Sequence, residues 1–155
     1  MARKDKLIQE YVHDPYVAKT KYADPSVCDT CGVAFSNGIF AWLQPPPDAA
    51  SMRCPACRRI ADKYEGGVVN LEGEFMLEHK PEIMNTIRNV ETEAKKQRPL
   101  DRIIEVKEEP GQTIITTTYE HLAKKIGNAL HRAYKGDLKT QFLEGEKYVR
   151  VWWNR

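Results

Sequence analysis

Apolar positions change their spacing several times along the chain, and each change marks an element. Val33 to Phe35 and Ile39 to Leu43 form short apolar runs on either side of Asn37-Gly38. That pattern predicts a hairpin, because both turn residues accept positive φ. Pro45, Pro46 and Pro47 end the second strand, and Phe35, Phe40 and Trp42 are expected to supply a small core. Arg58 to Tyr64 is a helix-forming run with Gly66-Gly67 as its closing signal. Val68, Val69 and Leu71 then suggest a short strand, and Phe75 to Leu77 a second short apolar run.

Helical spacing returns after Pro81. Ile83, Met84, Ile87, Val90 and Ala94 recur on one face, Glu82 suits the N-terminal dipole, and Pro99 stops the run after Lys95, Lys96 and Arg98. The expected role is a linker helix packing two modules together.

From Leu100 the chain turns β-rich. Asp101 to Lys107 and Thr113 to Thr118 flank Glu109-Pro110-Gly111-Gln112, in which Pro presets one turn angle and Gly takes a positive φ. Thr117 and Glu120 predict a capping box for a helix reaching about Tyr134, closed by Gly136. Lys139 to Leu143 and Tyr148 to Trp153, around a turn at 144–147, complete a ββαββ order. Leu122, Ile126, Ala129, Leu130 and Ala133 gather on one face of this helix, which should bury against the sheet. Gly127 interrupts it at a cost of about 1 kcal/mol against Ala, which implies a close approach to its backbone, by a partner or by a core side chain.

Composition narrows the possibilities. At 155 residues the chain holds one or two small domains, and no apolar run is long enough to span a membrane, so a cytoplasmic protein is expected. The net charge is only +2, but it is unevenly spread. Residues 65–117 carry seven Lys/Arg against eleven Asp/Glu, and residues 118–155 carry eight against four. Residues 1–27 read as a polar basic arm in which lysines alternate with Tyr11, Tyr16 and Tyr22, either docked on the next module or laid along a phosphate backbone.

Two C-x-x-C pairs, Cys28/Cys31 and Cys54/Cys57, hold all the cysteine in the chain. Each pair lets one tight turn aim two sulfurs at an ion, and two pairs complete the tetrahedron that Zn²⁺ prefers, with no position left open. One structural zinc ion is therefore expected; iron in a rubredoxin-like site would use the same ligands. A redox pair is disfavoured by the second pair and by the lack of a βαβ pattern, and disulfides by the reducing compartment. Gly32 suits a knuckle whose N–H points at the thiolate, and the run after Cys57 places the second pair in a first helical turn. Knuckle, hairpin and helix predict a treble-clef module, with a zinc ribbon as the alternative.

Arg53, Arg58, Arg59 and Lys63 around the second pair either relieve the charge of a tetrathiolate site or extend a basic surface toward nucleic acid. On the last helix, His121, Lys125, Asn128, Arg132 and Lys135 form a polar, largely basic stripe, with Lys124 beside it. Such a stripe is either a solvated face or a phosphate-binding one. Of the alternating pair Trp152 and Trp153, Trp153 is taken as the exposed member that, with Arg150, could stack on a base. No Ser/His/Asp set, phosphate-binding glycine loop or H-E-x-x-H helix is present, which argues against an enzyme.

His13-Asp14-Pro15-Tyr16, Cys28-Asp29-Thr30-Cys31-Gly32, Cys54-Pro55-Ala56-Cys57-Arg58-Arg59-Ile60 and Gly73-Glu74-Phe75 resemble the small bacterial proteins grouped with the ribosome export adaptor of the NMD class. Arg98-Pro99-Leu100-Asp101-Arg102-Ile103, His121-Leu122-Ala123, Ile126-Gly127 and Arg150-Val151-Trp152 extend the resemblance over most of the chain. It implies a zinc module held by Cys28, Cys31, Cys54 and Cys57 that engages the large ribosomal subunit. Nuclear export is not implied, because the chain has only two cysteine pairs and lacks the length for the adaptor's further domains. A KH domain is not implied either, since no second Gly follows Ile126-Gly127 in an I-G-x-x-G loop.

The sequence thus predicts an α+β protein: a basic arm (1–27), a Cys₄ zinc module (28–67), a linker with a helix (68–99) and a ββαββ module (100–155). The expected function is non-catalytic binding of RNA or the ribosome. A protein-interaction adaptor is the alternative, and an enzyme of unknown class a weaker one.

Overall fold

The computed structural model describes residues 21–145 and 147–155. The basic arm expected over 1–27 lies outside the described residues as far as residue 20, and its last positions belong to the first sheet. That sheet has the order β3-β2-β1-β4, built from β1 (Ser26–Cys28), β2 (Ala34–Ser36), β3 (Ile39–Ala41) and β4 (Ala50–Met52). The predicted hairpin is present, with Asn37 at φ 55° and Gly38 at φ 77°. The Asp24 carboxylate accepts from both turn N–H groups, at 3.0 and 3.1 Å. The module's buried core consists of Val33, Ala56 and three of the cysteines, and of the expected aromatics Phe40 packs against it. Phe35 and Phe40 are half-buried and pack with Tyr22, while Trp42 is exposed.

Helix α1 (Pro55–Asp62) begins at Cys54, with Pro in its first turn. It stops at Lys63, which takes φ 53° and donates its N–H to the carbonyls of Arg59 and Ile60, so Gly66-Gly67 do not close it. Gly66 meets a different demand: a Cβ there would lie 2.6 Å from the Thr118 carbonyl oxygen.

The second sheet has the order β6-β7-β5-β9-β8. Its strands are β5 (Gly67–Glu72), β6 (Ile103–Glu109), β7 (Gln112–Thr117), β8 (Asp137–Leu143) and β9 (Tyr148–Asn154). β5 sits at the centre, antiparallel to β7 and parallel to β9. The segment expected as a linker therefore supplies the strand on which the sheet closes; a ββαββ unit alone would leave β7 and β9 without their shared neighbour. The short apolar run after β5 is a helix, α2 (Glu74–Glu78), followed by α3 (Lys80–Gln97) as its periodicity predicts.

Helix α4 (Glu120–Tyr134) crosses the sheet, and α3 packs along α4. Val69, Leu71, Ile115, Val149 and Val151 from the sheet meet Leu122, Ile126 and Leu130 of α4 and Ile83 and Ile87 of α3, all fully buried. Each such side chain stabilises by roughly 1.5–3 kcal/mol, so this layer holds the fold. The buried face of α4 is rotated from the expected one: Ala123 and Gly127 are buried and Ala133 is exposed. A Cβ on Gly127 would lie 2.6 Å from Val151 Cγ1, so the close approach is by a core side chain. The capping box does not form, because Thr117 is still the last residue of β7 and its hydroxyl donates to the Tyr119 carbonyl at 2.7 Å. The tryptophan assignment also reverses. Val149, Val151 and Trp153 alternate into the core, and Trp153 is fully buried with its Nε1 donating to the Lys135 carbonyl at 2.7 Å.

Candidate metal centre

β1 pairs with β4 so that Cys28 stands opposite Met52, which brings the first cysteine pair to the chain that enters α1. Gly32, at φ 84°, closes the knuckle after Cys31, although its N–H goes to the Cys28 carbonyl at 3.0 Å and not to sulfur. Two N–H groups that reach sulfur come from the second pair: Cys54 donates to Cys28 Sγ at 3.3 Å, and Cys57 to Cys54 Sγ at 3.4 Å. Cys54 is thus both a candidate ligand and the N-cap of α1.

The four Sγ atoms lie within 4.8 Å of one another. Cys28 and Cys57 are 3.8 Å apart, and Cys31 and Cys54 are 3.7 Å apart. A tetrahedron with metal–sulfur bonds of about 2.3 Å has edges of about 3.8 Å, so the donor set fits a metal ion closely. Cys28, Cys54 and Cys57 are buried and Cys31 half-buried, and no disulfide joins them. An ion held here by four thiolates supplies a cross-link, with no vacant position for a substrate.

Arg102 encloses the cage from the other side. This buried residue just before β6 donates from Nη2 to Cys31 Sγ at 3.2 Å, while Nη1 stands 3.9 Å from Cys57 Sγ. Its Nε donates to the Pro99 carbonyl at 2.8 Å, and its guanidinium lies 5.4 Å from the Trp42 ring centre. Burial disfavours its charge, but the Cys31 contact and the nearby thiols outweigh that and raise its pKa. The Cys31 thiol is lowered to about 4, first by its hydrogen bond with Cys54 and, against burial, by the Val33 N–H and Arg102. Cys54 is pushed upward by the same sulfur–sulfur bond and by burial.

Arg59 crosses the junction in the opposite direction. It leaves α1, donates to the Thr118 carbonyl at 2.7 Å and stacks on Tyr119 and Tyr64, at 4.3 and 4.8 Å from their ring centres. Thr118 serves both arginines, since its Oγ1 accepts the Arg102 N–H at 2.9 Å and donates to the Leu100 carbonyl at 2.7 Å. Trp42 Nε1 to the Lys95 carbonyl, at 2.8 Å, adds a third tie. A guanidinium that does reach the sulfurs belongs to Arg102, which the sequence reading did not single out for this role. Sequence reasoning missed Arg102 because it lies 45 residues from the nearer cysteine it touches.

Of the residues expected to contact nucleic acid, Lys125, Asn128 and Arg132 come together in one groove. Arg53 is exposed, Arg58 half-buried and Arg59 buried. His121 is turned to the junction, with Nε2 3.2 Å from Arg98 Nη2 and 3.5 Å from a Glu120 oxygen. Lys125, Asn128 and Arg132 line a groove of about 550 Å³ between α3 and α4, together with Asn89 and Glu93. Lys124 is exposed, with its ammonium 4.9 Å from the Phe142 ring centre. Lys135 is exposed at the end of α4, in positive φ. Arg150 projects from the sheet face opposite α4, and Trp153 is excluded from any contact by its burial.

No family model matches the chain, and no curated protein or solved structure matches it. Among the described residues no helix is long and apolar enough to cross a membrane.

Proposed function

We propose that this is a zinc-stabilised, non-catalytic protein that binds RNA or the ribosome in the cytoplasm. The observation that carries this reading is the enclosure of the sulfur cage. Backbone N–H groups and the Arg102 guanidinium surround the sulfurs, so a bound ion acts as scaffold and recognition falls to the outer surface. The knuckle at Cys28–Cys31 and the position of Cys54 and Cys57 at a helix start support a treble-clef module over a zinc ribbon. On the outer surface, Lys125 and Arg132 stand exposed in the α3–α4 groove beside Asn128, a pattern suited to phosphate contact. The resemblance to NMD-class proteins agrees with a ribosomal partner.

The test is gradient sedimentation of cell lysate with and without nuclease, combined with salt titration of RNA binding. The protein should travel with ribosomes, affinity should fall as salt rises, and Lys125→Glu with Arg132→Glu should weaken binding to every RNA sequence. Salt-independent behaviour, or no association at all, would overturn the reading. A protein-interaction adaptor is favoured by one observation: Ile39 and Leu43 at the first hairpin are 64% and 58% exposed. On that reading a protein partner survives nuclease treatment.

A further inference from the structure

The five-stranded sheet has two unequal faces. α4 covers the one that carries Val69, Ile115, Val149, Val151 and Trp153. Side chains alternate across a strand, so the intervening residues form the other face. Strand register brings Lys107, Ile114, Asn70, Trp152 and Lys139 into one row across all five strands. In this row Ile114, Asn70 and Trp152 are half-buried and the two terminal lysines exposed. The next row places Arg150 between Val68 and Gln141, with both Arg150 and Gln141 exposed.

We propose that the face away from α4 binds a short single-stranded RNA segment. Trp152 is the stacking platform, and Lys107, Lys139 and Arg150 are the phosphate contacts. The proposal deepens the RNA-binding reading above and rests on it.

Three features favour this occupant. A half-buried indole offers a base a flat apolar surface already fixed in place, so little side-chain entropy is lost on stacking. The Lys139 ammonium stands 5.3 Å from that ring's centre and can exchange the ring for a phosphate as a base arrives. Asn70, between Ile114 and Trp152, offers an amide donor and acceptor to a base edge.

Charge sets where the strand would lie. Glu72, Glu109 and Asp137 occupy the row at one end of the face, where they repel phosphate. Glu105, in the Arg150 row, is already paired with Lys63 at 3.3 Å. The backbone is thereby directed along the two rows that carry Lys107, Lys139 and Arg150.

The test uses the full metal-loaded chain, a short single-stranded RNA and a duplex of the same sequence. Trp152→Ala should weaken single-strand binding by about tenfold or more, the scale of one lost base stack, and leave duplex binding little changed. Trp152→Phe should retain most of the affinity. Lys139→Glu with Arg150→Glu, both at exposed positions, should weaken binding and flatten its salt dependence without lowering the melting temperature, so the proposal stays testable if Trp152→Ala folds poorly. If wild-type protein binds RNA but Trp152→Phe, Trp152→Ala and Lys139→Glu/Arg150→Glu all bind the single strand as well as it does, the platform is refuted while the RNA-binding reading stands. If wild-type protein binds no RNA, both fall together.

Discussion

Arg102 Nη2 donates to Cys31 Sγ across 3.2 Å of space and 71 residues of sequence. The cysteine cage is therefore not a self-sufficient knob on the chain, because one wall of it is contributed by the sheet module. Groups that hydrogen-bond to metal ligands fix their orientation and tune their basicity. Here that group also ties two modules together.

Replacing Arg102 with Met keeps much of its length and removes both sulfur contacts. Metal affinity, measured by competition with a chromogenic chelator, should fall by about 10- to 100-fold. Arg102→Lys should restore little of it, since a single ammonium lacks the planar fork that faces two sulfurs. Undiminished affinity in Arg102→Met would mean that the arginine only fills space.

Loss of the metal should be felt beyond the cage. Cys28→Ser or Cys54→Ser should release the ion and unfold the first sheet with α1, because binding energy in small metal modules is largely folding energy. The ties of Arg59 and Arg102 to Thr118 and Pro99 carry the disturbance across the junction. Hydrogen exchange after chelation should accelerate over 98–102 and 118–121 as well as 26–63. Protection confined to its original level outside 26–63 would show the modules to be independent.

Tyr148 donates a hydrogen bond to Glu65. Burial first, and then Glu65, raise the phenol pKa well above its ordinary value of 10.0. The native state favours the protonated phenol, so this contribution to stability is complete below pH 10 and is lost as pH rises through the raised value. Tyr148→Phe removes that titration. Its melting temperature should decline less steeply than wild type above pH 10, and parallel declines would contradict the assignment.

Gly127→Ala weighs helix propensity against packing. The added methyl gains about 1 kcal/mol in α4, but it would lie 2.6 Å from Val151 Cγ1 and 3.0 Å from Leu138 Cδ1. Overpacking of a core costs about 1–3 kcal/mol, so the variant should be less stable in urea denaturation. Adding Val151→Ala should recover part of the loss if the clash is the cause.

Local signals were legible in the sequence wherever one residue type answers one demand. Asn37-Gly38 marked the first hairpin, Pro110-Gly111 the turn between β6 and β7, Pro81 and Pro99 the ends of α3, and the cysteine spacing the four clustered sulfurs. What stayed hidden was long-range. Val68, Val69 and Leu71 announce a strand but not its central place, which depends on pairing with β7 and β9. The choice between Trp152 and Trp153 turns on the phase of a two-residue alternation, and a shift of one position reverses every side chain. Arg102 looked like any other basic residue near a turn, because only the closure of the fold brings it to sulfur.

The central pairing of β5 with β9 also sets an order of events. Val69 and Val151 are partners with about eighty residues of chain between them, a separation that slows closure. As the chain is synthesised, all four cysteines emerge long before β9, and they can take up an ion while the sheet is still incomplete. The loaded cage would then stand as the first fixed point of the nascent protein, and the last strand would bring the sheet to closure beside it.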